Sequence, residues 1–129
     1  MNRQTSVLYV DDEEALSELV KSALESFDFT VEVADDGDTA LDILAERSFD
    51  VILLDICMPR MGGIEVLRHL RQKGVKSRII MLTGVDDLTI AIETVKNGID
   101  DYLRKPFDIK RLVGCIERVM KRKVAPSCI

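Results

Sequence analysis

The chain has 129 residues, the size of one ordinary domain with a real core. Apolar residues make up 47% and charged residues 32%, which reads as soluble and globular and excludes a disordered chain. A net charge of −5 excludes the basic footprint that wrapping nucleic acid requires, and the longest apolar runs are far too short to span a bilayer.

Residues Met1 to Ser6 lead straight into a short apolar run with no signal-peptide h-region, so a cytoplasmic location is expected. Val7-Leu8-Tyr9-Val10 is the first strand candidate, followed by four acids, Asp11 to Glu14. Leu16, Leu19, Val20, Ala23, Leu24 and Phe27 then recur at helical spacing as one apolar stripe. Thr30 to Ala34 alternates and is β-branched, which fits a strand near a sheet edge. Ala40, Leu41 and Leu44 mark a second helix. Val51 to Leu54 is a continuous apolar run, as expected of a strand buried on both faces of a parallel sheet.

A third helix carries Ile64, Leu67 and Leu70, with Gly74 placed to cap its C-terminus. Ile79 to Leu82 is the fourth strand run. Leu88, Ala91, Ile92 and Val95 form a fourth helical stripe, with Asp87 at its N-cap and Gly98 after its end. Asp101 to Arg104 is a short fifth strand. Asp108 caps a fifth helix bearing Ile109, Leu112, Val113, Ile116 and Met120, and the tail after Lys121 reads as a helix end running into a linker.

Strict β-α alternation predicts an α/β fold, a parallel sheet covered on both faces and joined by right-handed crossovers. With five strands the expected order is 2-1-3-4-5, doubly wound and flavodoxin-like, with five helices. There is no internal repeat or low-complexity segment. Cys57, Cys115 and Cys128 are odd in number and lack metal-ligand spacing, so they read as free thiols.

Such sheets bind ligands beyond the carboxyl ends of their strands. The first strand ends in Asp11-Asp12, the third in Asp55, the fourth in Thr83-Gly84, and the fifth leads into Lys105-Pro106. The expected strand order brings these together on one edge. Taken singly, the acids suit a helix N-terminus, Thr83 a strand, and Lys105 a solvated charge. Together they are different, because clustered carboxylates repel unless a hard cation neutralises them. Mg²⁺ suits one or two carboxylates with waters and phosphate oxygens. An Asp beside it is placed for attack on phosphorus, with Lys105 and Thr83 stabilising phosphoryl oxygens.

Over roughly Ser6 to Lys123 the chain resembles a response-regulator receiver domain. The motifs are Val10 to Glu13, Leu54-Asp55-Ile56-Cys57-Met58-Pro59-Arg60-Met61-Gly62-Gly63, Thr83-Gly84, and Asp101 to Phe107. Each is weak alone, but all four in order are strongly specific. The expected domain runs over 1–123, with 124–129 a tail or the start of a linker.

The resemblance implies that Asp55 is phosphorylated and that Asp12, Asp55 and the Cys57 backbone carbonyl hold Mg²⁺ (or Mn²⁺), with Asp11 helping through water. It implies that Thr83 and Lys105 contact the phosphoryl group, and that a cis peptide precedes Pro106. The donor is then a histidine kinase or histidine phosphotransfer protein. Thr83 and Tyr102 switch the surface of helix four, strand five and helix five towards an output or a homodimer, with Ile90 a candidate partner contact. Such a domain is no enzyme beyond its own phosphorylation and dephosphorylation. Cys57 and Val85 depart from common family choices, and both are expected to hinder the hydrolytic water. His69, in the third helix, is expected to be a surface residue.

Two other readings fit less well. A haloacid-dehalogenase-type phosphatase needs a second Asp where this chain has Cys57, and an FMN module wants a Ser/Thr/Gly-rich loop where it has four acids. A receiver-like interaction module that is never phosphorylated is the remaining alternative, against which stands the intact set of pocket residues.

Overall fold

The runs Val7 to Val10, Val51 to Leu54 and Ile79 to Leu82 are apolar at every position, so a sheet built from them must be covered on both faces, and the architecture follows from that demand. The structure is a computed structural model and describes residues 3–84 and 98–121. In chain order the elements are β1 (Ser6–Val10), α1 (Glu14–Glu25), β2 (Thr30–Ala34), α2 (Gly37–Glu46), β3 (Val51–Asp55), α3 (Gly63–Gln72), β4 (Arg78–Thr83), β5 (Asp101–Arg104) and α4 (Ile109–Lys121). The helix called α4 is the fifth one expected from sequence. The expected fourth helix lies outside the described residues, with Asp87, Ile90 and its apolar stripe, as do Val85, Cys128 and the tail after Lys121.

All strand pairs are parallel, in the order β2-β1-β3-β4-β5. The alternating strand, β2, is an edge as expected. Odd and even strand positions feed two separate layers. Val7, Tyr9, Val51, Leu53, Ile80, Leu82 and Leu103 pack with α1 and α4. Leu8, Val10, Ile52, Leu54, Ile79 and Met81 pack with α2 and α3.

Two members of the predicted α1 stripe are not in the core. Leu19 is 65% exposed and Phe27 48% exposed. The buried face is centred on Ser17, Val20 and Leu24, and Leu19 projects well to one side of it. Phe27 lies beyond the helix end, and the turn through Asp28, at φ 68°, puts Phe29 into the core instead. Elsewhere the punctuation holds. Gly74 has φ 78° and donates its N–H to Arg71 O at 3.1 Å, and Asp108 Oδ1 accepts the Arg111 N–H at 2.8 Å. Asp36 caps α2 by accepting from Thr39 N–H at 2.7 Å, a cap that the stripe Ala40, Leu41, Leu44 does not signal. Among the described residues no helix is long and apolar enough to cross a membrane.

Candidate functional site

The carboxyl ends of β1, β3, β4 and β5 meet at the edge where the sequence places its polar residues. β1 and β3 pair through Val10 and Leu54, so Asp11 and Asp55 are the next residues on adjacent strands and emerge on the same side of the sheet. Asp55 pairs with Leu82, and Leu82 with Leu103, which puts Lys105, two residues on, near the same side. The register alone therefore converges three strands on one point.

Asp11 is fully buried, Asp55 is 4% exposed and Asp12 is exposed at the rim. One carboxylate oxygen from each lies within 4.8 Å of the others. Lys105 Nζ sits among them, 2.7 Å from Asp11 Oδ2, 3.4 Å from Asp55 Oδ2 and 3.7 Å from Glu13 Oε1. The Glu13 N–H donates to Asp11 Oδ1 at 3.1 Å, and the Cys57 N–H to Asp55 Oδ1 at 3.4 Å. Four acids, Asp11, Asp12, Glu13 and Asp55, and one lysine leave an excess of negative charge in a half-enclosed place.

The ionisation of these groups follows from burial and partners. Burial pushes the Asp55 carboxyl up to about 6, against the pull of Lys105 and with a further push from the charge of Asp11. Burial acts on Asp11 too, but hydrogen bonds from Lys105, the Glu13 N–H and Tyr9 outweigh it and hold Asp11 below the usual carboxylate range. Burial disfavours the Lys105 ammonium, yet its bond to Asp11 and the charge of Asp55 keep it protonated more firmly than a free lysine. A hard divalent cation with oxygen ligands fits this donor set and would offset the burial and the repulsion from Asp11 that raise Asp55.

Thr83 ends β4, half-buried, and its carbonyl accepts the Lys105 N–H at 2.6 Å. The Lys105-Pro106 bond is cis, as the resemblance implied. Tyr102, on β5, is 52% exposed. Cys57 is an exposed free thiol beside Asp55. Cys115 is also free but buried, its thiol pushed up to about 12 by burial and by the charge of Asp101, so it is unreactive. His69 is only partly exposed on α3, away from the strand ends.

Two participants are not visible as such in the sequence. The Tyr9 hydroxyl donates to Asp11 Oδ2 at 3.0 Å, although Tyr9 reads as one more residue of an apolar run. Ser17 Oγ donates to the Asp11 carbonyl at 3.4 Å, tying α1 to the end of β1. Only the spacing of two between Tyr9 and Asp11, which puts both on one side of a strand, hints at the first contact.

The chain matches the family model described as "Response regulator receiver domain" over residues 7–117. It is 37% identical over 116 residues to the response regulator MprA of Mycobacterium sp. (strain KMS), a match covering 90% of this chain and 50% of that protein. The chain thus spans about half the length of the curated relatives it matches. Among solved structures, the Francisella response regulator 1452 receiver domain superposes with a TM-score of 0.86 at 34% identity, covering 92% of this chain and 98% of that one. The chemotaxis protein CheY4 of Vibrio cholerae gives 0.86 at 32% identity, covering 91% and 99%. Fold, strand-end chemistry and sequence likeness agree, and the chain belongs to the response regulator receiver domain family.

Proposed function

We propose that the domain, over residues 1–123, accepts a phosphoryl group on Asp55 from the phosphohistidine of a histidine kinase or phosphotransfer protein. The observation that supports this most is the placement of Lys105 Nζ between two buried carboxylates, 2.7 Å from Asp11 and 3.4 Å from Asp55. An Asp55 carboxylate oxygen attacks phosphorus, the P–N bond breaks, and its electron pair returns to the imidazole, which takes up a proton. Asp55 must be ionised to attack, and Lys105 opposes the burial that protonates it. Lys105 then follows the charge onto a phosphoryl oxygen, with the Thr83 hydroxyl on another.

Asp12, Asp55 and the Cys57 carbonyl are the residues that would hold Mg²⁺ or Mn²⁺, with Asp11 through water. When bound, the cation neutralises charge on the transferring group. No general base is needed, since the nucleophile is already an anion. The phosphoryl group adds about −1.5 to −2 charge. Thr83 moves towards it and Tyr102, now half in solvent, turns inward, shifting an existing equilibrium of the face formed by the expected fourth helix, β5 and α4. An output domain or a second copy of the chain reads that face.

The test is incubation with a small acyl phosphate and Mg²⁺, followed by intact mass. The parent is expected to gain one phosphoryl group and Asp55→Asn none. An Asn variant that labels equally overturns the assignment.

Two side chains are expected to set the lifetime of the product. Cys57 is exposed beside Asp55, and Val85 lies outside the described residues. Neither offers the hydrolytic water a strong hydrogen-bonding group. Cys57→Asn and Val85→Glu are each expected to speed dephosphorylation, followed as loss of the phosphorylated mass after donor removal. Unchanged or slower loss in both variants refutes the idea.

A further inference from the structure

A tyrosine in a central strand must find a partner for its hydroxyl once the ring is buried. Tyr9 is 0% exposed, in a strand flanked by β2 and β3, and its ring belongs to the layer packed by α1 and α4. A valine or leucine would fill that layer without a polar atom. The hydroxyl instead donates to Asp11 Oδ2 at 3.0 Å, inside the acidic cluster.

Asp11 is therefore held by three donors from three places. Lys105 Nζ shares Oδ2 at 2.7 Å, and the Glu13 N–H takes Oδ1 at 3.1 Å. Lys105 is a mobile partner on a flexible stem and also faces Asp55 and Glu13. Tyr9 is not mobile, because its ring is fixed in a close-packed core and has only two side-chain torsions. When Lys105 turns towards a phosphoryl group, Tyr9 is the side chain that stays on Asp11.

We infer that Tyr9 is a positioning residue of the phosphoryl-transfer site, its hydroxyl fixing the Asp11 carboxylate in the orientation that completes a divalent-cation site with Asp12 and Asp55. This rests on the receiver function proposed above. Hydrogen-bond partners of ligating carboxylates commonly contribute about ten- to hundredfold to metal affinity, and since Asp11 acts through water, the lower end, about tenfold, is expected for Tyr9. Without the hydroxyl, Asp11 keeps Lys105 as its only side-chain donor among the described residues, and its orientation follows that flexible chain.

Tyr9→Phe keeps the ring and removes the bond. Calorimetric titration of the metal-free full chain with MgCl₂ is expected to show affinity weakened by about tenfold relative to the parent. Saturating Mg²⁺ is expected to restore the rate of phosphoryl uptake from a small acyl phosphate, since Asp55 and Lys105 are untouched. Tyr9→Leu, a second variant without a hydroxyl, is expected to show the same split if Phe packs poorly. Unchanged or tighter Mg²⁺ binding overturns the inference, and so does a loss of uptake that Mg²⁺ does not restore. A parent chain that binds no Mg²⁺, or takes up no phosphoryl group on Asp55, overturns the proposed function and this inference together. A parent that does both, beside a Tyr9→Phe that matches it, overturns the inference alone.

Discussion

Gly63→Ala is expected to destabilise the domain by about 3 kcal/mol, the upper end of overpacking costs, and to impair the site with it. A Cβ at Gly63 would lie 2.2 Å from the Asp55 carbonyl oxygen and 2.9 Å from its carbon. Both are backbone atoms at the end of a central strand, so no side-chain rotation relieves the clash. The first residue of α3 is locked there, because the Gly63 N–H donates to the Ile56 carbonyl at 3.0 Å. Either α3 moves out, opening the layer around Val66 and Leu67, or the end of β3 moves and takes Asp55 away from Lys105. Denaturant melts give the stability, and phosphoryl uptake is expected to fall at least about tenfold, as misplacement of a reacting group commonly does. Gly114 is the control. It lies inside α4, where an added methyl group would meet nothing within 4 Å among the described residues, so Gly114→Ala is expected to stabilise by about 0.5–1 kcal/mol. Equal effects at the two glycines would refute the steric account.

Asp55→Asn is expected to make the metal-free domain more stable at pH 7.5 while abolishing its phosphorylation. The folded Asp55 carboxyl titrates at about 6, raised chiefly by burial, against about 3.9 in an unfolded chain. Between those values the folded state holds a proton that the unfolded chain has released. Stability therefore falls as pH rises from about 4 to about 6, and the deficit is complete above that window. That difference corresponds to about 3 kcal/mol, and Asn removes it without stranding Lys105, which keeps Asp11 and Glu13. Thermal melts are expected to show a rise of several degrees at pH 7.5 that shrinks towards pH 4. Added Mg²⁺ is expected to stabilise the parent and narrow the gap, because a cation that binds only the folded state shifts the equilibrium towards it. An Asn variant no more stable than its parent in metal-free buffer at pH 7.5 contradicts this.

The architecture was legible because burial on both faces leaves a mark that needs no tertiary knowledge. Val51 to Leu54 and Ile79 to Leu82 are apolar at every position, and both became central strands, while alternating Thr30 to Ala34 became an edge. Periodicity overreached in α1. Leu19 and Phe27 are apolar at helical spacing, yet the core meets the helix along a narrower line and the helix stops at Glu25. A stripe shows where an apolar face could be, and the neighbouring layer decides how wide it is.

By itself the sequence determined that Asp11, Asp12, Asp55, Thr83 and Lys105 end strands or follow them, and strand-end polar residues in a parallel sheet share one edge. Only the tertiary structure decided how they interact. Lys105 and Asp11 are 94 residues apart and 2.7 Å apart in space, and the register of four strands, not local pattern, sets that distance. The same holds for Arg71, a basic residue in the last turn of a helix by its sequence. Its guanidinium donates to the carbonyls of Val75, Ser77 and Gly98, clamping α3 to the start of β4 and the approach to β5. Tyr9 is the sharpest case. Its ring belongs to the core and its hydroxyl to the site, because a strand running from one into the other puts residues two apart on the same side. Hydrophobic pattern is a property of each segment, whereas hydrogen-bond partners depend on which segments the packing brings together.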